Sequence, residues 1–252
     1  MFDIRFHFSY QVLLNMSDLE LADDEAAVWF AANASPERPS GPPVVVCGGR
    51  LHLILGDSIA KRAAFSACSP EDRILNRARG GATWSSLLGE VNQAIVSWRT
   101  AAAATGRTTG TAIIWLTGND VYSKLSGLPR YSDVTLKEIA RQACLVLQRL
   151  RSHGEVVILG PLPRLAGELR GCTWNSTAAY RLERTLIRGG PGDLAAVVPL
   201  GRYLTRKMGR RRSGMKGCEP WFRDDGVHLT EEGYARLAGA GAFPKWLQMK
   251  AK

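Results

Sequence analysis

Leu51-His52-Leu53-Ile54-Leu55-Gly56-Asp57-Ser58-Ile59 reads as a short apolar strand that stops at a glycine and turns at once into a helix over Ile59–Ser66. A brief apolar run bounded by a turn signal is the mark of a buried strand. The same pattern repeats downstream. Arg73–Asn76 is a weak second strand, and Trp84, Leu87, Leu88, Val91, Ile95 and Trp98 recur at helical spacing, which predicts an amphipathic helix over 84–104. Thr111–Leu116 is a third strand, and Leu136, Ile139, Ala143, Val146, Leu147 and Leu150 mark the next helix. Val156–Leu159 is a fourth strand, closed by Gly160-Pro161, and Thr177–Arg188 is helical. Ala195–Leu200 is a fifth strand, shortened by Pro199, and a last helix starts near Glu231. Strands that alternate with helices need crossover connections and therefore a parallel sheet. The expected fold is α/β: a three-layer α/β/α sandwich around a five-stranded parallel sheet, with flavodoxin-like strand order by fold analogy. Such a sheet brings the C-terminal ends of its strands to one edge, where ligands bind.

The 252 residues, 45% hydrophobic, suffice for one good-sized core. Residues 1–45 read as an acidic extension, with a short helix over Asp18–Ala32 and a linker at Ser35-Pro36-Glu37-Arg38-Pro39-Ser40-Gly41-Pro42-Pro43; the main domain is expected over 46–252. The extension carries seven acids against two arginines, a charge of −5, so the rest of a +10 chain carries +15. That surface favours anionic partners. No apolar run is long enough to span a bilayer, and the first fifteen residues make a poor signal peptide, so the chain is read as soluble and cytoplasmic. Cys47, Cys68, Cys144, Cys172 and Cys218 are odd in number and form no CxxC pair, which argues against a disulfide framework or a zinc site. Cys144 sits in an apolar helical pattern and is expected in the core.

Three loops after strands carry groups able to do chemistry. Ser58 stands where the first strand turns into a helix; its plain structural reading is an N-cap, its chemical reading a nucleophile facing the cleft. His228 is the best base among four histidines. His7 lies in the extension, His52 is expected to pack from the first strand against a helix, and His153 lies in a turn. His228 alone has a carboxylate three residues earlier, Asp225, which a tight turn lets it meet; Asp224 is adjacent but wrongly spaced. Thr230 is a cap for the helix that follows. Ser58 N–H, Gly81 N–H and the Asn119 side-chain amide are candidate donors to an oxyanion. The alternative for Gly80-Gly81-Ala82-Thr83 is a turn capped by Thr83, and for Asn119 a turn residue bonding its own backbone.

Taken together, Gly56-Asp57-Ser58-Ile59, Asn76-x4-Gly81-Ala82-Thr83, Gly118-Asn119-Asp120 and Asp225-Gly226-Val227-His228-Leu229-Thr230-x-x-Gly233-Tyr234 resemble the GDSL/SGNH hydrolase superfamily over roughly residues 50–240. The resemblance implies a serine esterase or acylhydrolase with no metal or organic cofactor. It implies Ser58 as nucleophile and first oxyanion donor, Gly81 and Asn119 as further donors, His228 as base and Asp225 as its orienting acid. One position departs: the family's third block has glycine two residues before the asparagine, and here Thr117 stands there, with a glycine at 118.

Arg202, Arg206, Lys207, Arg210, Arg211, Arg212 and Lys216 form a basic loop ahead of Asp225. It is either a solvated loop, a steering surface for an anionic ester, or a site for nucleic acid backbone. The last belongs to a rival reading, a retrotransposon-type domain of the same fold acting mainly in binding; no aromatic–basic RNA signature or zinc knuckle accompanies it. A carbohydrate deacetylase is a third reading with the same mechanism. Gly160-Pro161-Leu162-Pro163-Arg164 is expected to line the pocket, and Trp174, Trp221 and Phe222 are either pocket walls or packing.

Overall fold

The computed structural model describes residues 48–123, 129–165, 173–207, 213–214, 217–241 and 243–249. The expected extension over 1–45, Cys47, Cys172 and the cations Arg210, Arg211, Arg212 and Lys216 lie outside them. In chain order come β1 (Arg50–Gly56), α1 (Ser58–Arg62), β2 (Phe65–Ala67), β3 (Arg73–Asn76), α2 (Trp84–Ala104), β4 (Thr108–Trp115), α3 (Asp133–Arg151) and β5 (Val156–Leu159). They are followed by α4 (Ala178–Arg188), α5 (Pro191–Leu194), β6 (Ala196–Val198), β7 (Arg206–Lys207), β8 (Ser213–Gly214), α6 (Glu231–Gly239) and β9 (Leu247–Met249).

The main sheet has the order β3-β1-β4-β5-β6, every neighbouring pair parallel. Counting only its own strands, that is the flavodoxin-like 2-1-3-4-5. Alternation along each strand divides the core in two. Leu51, Leu53 and Leu55 of β1, Ala112 and Ile114 of β4 and Val156 and Ile158 of β5 face α2, α3 and α4. Ile54, Ile113, Trp115, Val157 and Leu159 face α1, α6 and the C-terminal segments. These strands are apolar on both faces because helices or loops cover both. Truncating a fully buried side chain such as Leu53 to alanine should cost roughly 2–5 kcal/mol. The polar ends of two buried tryptophans are satisfied: Trp98 Nε1 donates to the Leu51 carbonyl at 2.7 Å and Trp115 Nε1 to the Gly160 carbonyl at 3.3 Å.

The caps explain the helix starts. Thr83 and Ser86 form a reciprocal capping box at α2, Ser132 caps α3, Thr177 caps α4 and Thr230 caps α6.

Several expectations need correction. The helix after Ser58 ends at Arg62, not Ser66, because Phe65–Ala67 pairs antiparallel with Leu247–Met249, a partner too distant in sequence to read locally. That pairing also carries Trp246 onto His52, whose ring stacks on the indole at a centroid distance of 3.7 Å instead of packing on a helix. The fifth strand is only Ala196–Val198. Cys144 is half-buried. The basic segment is not simply a loop: Arg206–Lys207 pairs antiparallel with Ser213–Gly214. Two of its guanidinium groups lie over aromatic rings, Arg202 over Tyr203 at 4.9 Å and Arg206 over Trp221 at 5.1 Å. Trp174, Trp221 and Phe222 are buried packing residues. No helix among the described residues is long and apolar enough to cross a membrane.

Candidate active site

β1 ends at Gly56, where a Cβ would stand 2.4 Å from the Trp115 carbonyl oxygen; only glycine lets the chain turn so close to β4. The next residue caps α1. Asp57 Oδ1 accepts from Ile59 N–H at 2.9 Å, so Asp57, not Ser58, is the N-cap. Ser58 is thereby the first helical residue, and its hydroxyl is free for another partner. That partner is His228: Ser58 Oγ and His228 Nε2 are 2.9 Å apart.

His228 is held from its other side. Its Nδ1 lies 2.6 Å from Asp225 Oδ2, while Asp225 Oδ1 accepts from the N–H groups of Val227 at 2.9 Å and His228 at 2.8 Å. Partial burial pushes the Asp225 carboxyl up, but the bonds from the His228 ring and from the two N–H groups outweigh it and hold it down at about 2. An ionised carboxylate only accepts, so Nδ1 carries the ring proton and Nε2 of the neutral ring is left to accept from the serine hydroxyl. The turn is fixed further by Arg223 N–H to the His228 carbonyl at 2.7 Å and by the cap of α6 that follows. Asp224 has no part in these bonds.

The other loops are laced to the Ser58 turn. Asp57 is 1% exposed, and its Oδ2 accepts from Thr117 N–H at 2.7 Å and Thr117 Oγ1 at 2.5 Å. Burial raises the Asp57 carboxyl, and the Thr117 and Ile59 donors oppose that rise. Gly118 follows with φ of 134°, and a Cβ there would meet the Tyr122 ring at 3.0 Å. The glycine next to Thr117 thus takes the turn that threonine cannot.

Asn119 is oriented at both ends of its amide. Its Nδ2 donates to the Ala82 carbonyl at 3.1 Å, beside Gly81, and its Oδ1 accepts from Arg164 at 2.8 Å. Arg164 is 6% exposed and lies 4.6 Å from the centre of the Tyr122 ring. The second Nδ2 proton has no acceptor among the described residues. Neither the Gly81 N–H, outside any helix or strand, nor the Ser58 N–H, at the start of α1, has a backbone or side-chain acceptor among them. Asp120 bonds Trp84 N–H at 3.0 Å through Oδ1, while Oδ2 is buried without a partner among the described residues; burial, with the Asp57 charge adding to it, pushes this carboxyl up to about 6.

Ser58, His228 and Asp225 are therefore one hydrogen-bonded chain, and the loops of Gly81 and Asn119 are tied to each other and, through Thr117, to the Ser58 turn. Of the stretch expected to line a pocket, Gly160–Pro163 is buried, and Arg164 is the residue that reaches Asn119. Sequence reading missed the Asp57–Thr117 bonds and the Arg164–Asn119 bond. Asp57 carried a signal, since aspartate is a preferred N-cap. The partners of Thr117 and Arg164 are 60 and 45 residues away, beyond any local pattern.

Among solved structures, the fold is similar to that of a catalytic mutant of an acetylxylan esterase from Geobacillus stearothermophilus, with 14% identity, 81% of this chain and 98% of that one covered, and a TM-score of 0.53. It is similar to a candidate GDSL-like lipase from Parabacteroides merdae (13% identity, 76% and 93% covered, TM-score 0.51) and to the lipase/acylhydrolase from Enterococcus faecalis (16% identity, 75% and 91% covered, TM-score 0.50). At these identities the likeness is one of fold. No protein-family model matches the chain, and a search of curated proteins gives no match.

Proposed function

We propose that this protein is a serine esterase or acylhydrolase of the GDSL/SGNH type. The observation that carries the reading is the hydrogen-bonded series Asp225–His228–Ser58, with bonds of 2.6 and 2.9 Å, at the C-terminal edge of a parallel sheet. The likeness in fold to an acylhydrolase and an acetylxylan esterase supports the ester bond as target.

In the reaction, Ser58 Oγ attacks the ester carbonyl as His228 Nε2 takes its proton. The resulting imidazolium keeps its Nδ1–H bond to Asp225, whose negative charge stabilises it. The tetrahedral oxyanion is received by Ser58 N–H, Gly81 N–H and the free Nδ2 proton of Asn119. Collapse returns the proton from His228 to the departing alcohol and leaves an acyl group on Ser58. A water deprotonated by His228 attacks that acyl-enzyme, and collapse frees the acid and restores the serine. No step calls on a metal or organic cofactor.

Hydrolysis of a series of 4-nitrophenyl esters from acetate to decanoate tests the reading and sets acyl length. Turnover that disappears in Ser58→Ala is expected. Undiminished turnover in that variant would end the proposal.

A further inference from the structure

A cavity of about 610 Å³ opens beside Ser58, within the usual size for a small-molecule site. Leu229, Ala238 and Met249 give it apolar surface, and Lys61, Arg62 and Arg223 line it against a single acid, Glu231. The placement of the cations follows from the fold. Lys61 and Arg62 stand three and four residues after Ser58 in the same helix, so they share its face. Arg223 precedes the Asp225 turn, and its Nε is anchored on the Leu229 carbonyl at 3.3 Å, with no hydrogen-bond partner for its two terminal NH2 groups among the described residues. Among the described residues, none of the three is in an ion pair, and neither Lys61 nor Arg62 has a side-chain hydrogen bond. The Tyr234 hydroxyl, also in the cavity wall, donates to the Ile59 carbonyl at 2.9 Å. Burial, with the Asp57 charge, raises that hydroxyl above its ordinary value, while Arg62 and Arg223, which share the cavity lining with it, pull it back.

Three cations outside any described ion pair, against one acid in the lining, leave the partly apolar cleft with a net positive field beside the serine. A carboxylate or phosphate offsets that field and gains hydrogen bonds in which donor and acceptor are both ionised, which a neutral group cannot. We propose that this cavity receives an anionic group carried by the ester, so that the preferred substrate is a small anionic ester bearing a carboxylate or phosphate. The inference rests on Ser58 as nucleophile; it assigns the selectivity to Lys61, Arg62 and Arg223 and not to the basic segment over Arg202–Lys216.

The test compares mono-(4-nitrophenyl) succinate with its neutral methyl ester at constant ionic strength. In the unmodified protein kcat/KM should favour the anion by about tenfold. The preference should fall to near unity in Lys61→Gln/Arg62→Gln and persist in Arg99→Gln, an exposed cation late in α2, toward the opposite edge of the sheet. Equal use of the two esters, a preference kept in the double variant, or one lost equally in Arg99→Gln would overturn the proposal. Calorimetric binding of the succinate monoester to Ser58→Ala, lost in Ser58→Ala/Lys61→Gln/Arg62→Gln, reads the anion site without catalysis. Binding without turnover in the unmodified protein would sink the esterase reading and keep the site, and turnover without binding selectivity would do the reverse. Competition by inorganic phosphate or by acetate tells the two anions apart, and inhibition by neither counts against the site.

Discussion

Thr117 Oγ1 donates to Asp57 Oδ2 at 2.5 Å, in a buried bond that joins the loop after β4 to the turn presenting Ser58. Thr117, which stands where the resembled GDSL/SGNH pattern has glycine, is thus a donor to the carboxylate that caps α1. Thr117→Val keeps the shape and leaves a buried carboxylate short of a partner, so a loss of about 1–3 kcal/mol is expected. Thr117→Gly, which removes the hydroxyl altogether, should be destabilised too. Denaturant midpoints with unchanged slopes check this, and a neutral Thr117→Gly would remove the role given to the hydroxyl.

Arg164 donates to Asn119 Oδ1 and is expected to act through it. With Oδ1 held by Arg164 and Nδ2 by the Ala82 carbonyl, the amide cannot flip, and one Nδ2 proton stays available. Asn119→Ala is expected to lower kcat roughly 10²–10³-fold with little change in KM. Arg164→Met should lower kcat by a smaller factor and add little further loss in an Asn119→Ala background. Full additivity in that cycle would mean that Arg164 serves only packing.

Glu183 carries a prediction for stability against pH. It is 4% exposed, its Oε2 has no partner among the described residues, and burial pushes it up from 4.5 to about 7, with Arg202 and Arg184 opposing. Between pH 4.5 and 7 the folded chain therefore holds a proton that the unfolded chain has lost. The contribution of Glu183 is fully present below pH 4.5 and is lost as pH rises through 7, by roughly 3 kcal/mol. Glu183→Gln removes that decline, so its stability advantage over the unmodified protein should grow from pH 5 to 8. Parallel stability curves for the two proteins would contradict the shift.

The variants of the hydrogen-bonded series should behave as a unit. Ser58→Ala and His228→Ala are each expected to lose most of the activity, by roughly 10⁴–10⁶ in kcat, and the double variant no more than either alone. Asp225→Asn should cost about 10⁴, because an amide no longer fixes the Nδ1–H tautomer. Steady-state kinetics with a reactive aryl ester checks all three. Multiplicative losses in the Ser58→Ala/His228→Ala pair would argue that the two side chains act separately.

The architecture was legible because its signals are local: brief apolar runs closed by turn residues in β1, β4 and β5, and helical spacing from Trp84 to Trp98, whose predicted helix matches α2 residue for residue. Asp225 and His228 lie three residues apart, so a turn brings them together visibly. Ser58 and His228 are 170 residues apart, and only the parallel topology made their meeting an expectation. What stayed hidden is long-range. The β2–β9 pairing cut the first helix short, Trp246 rather than a helix covers His52, and the cap that was one of two readings of Ser58 falls to Asp57. A local window cannot weigh such partners, because their gain comes from surfaces that only the finished fold assembles.

The most direct measurement is covalent labelling with a fluorophosphonate, read by intact mass and peptide mapping. One adduct on Ser58, absent from Ser58→Ala and slowed by at least about 100-fold in His228→Ala, is the predicted result. An unlabelled Ser58, or labelling at the same rate without His228, would contradict the assignment of Ser58 as a nucleophile activated by His228.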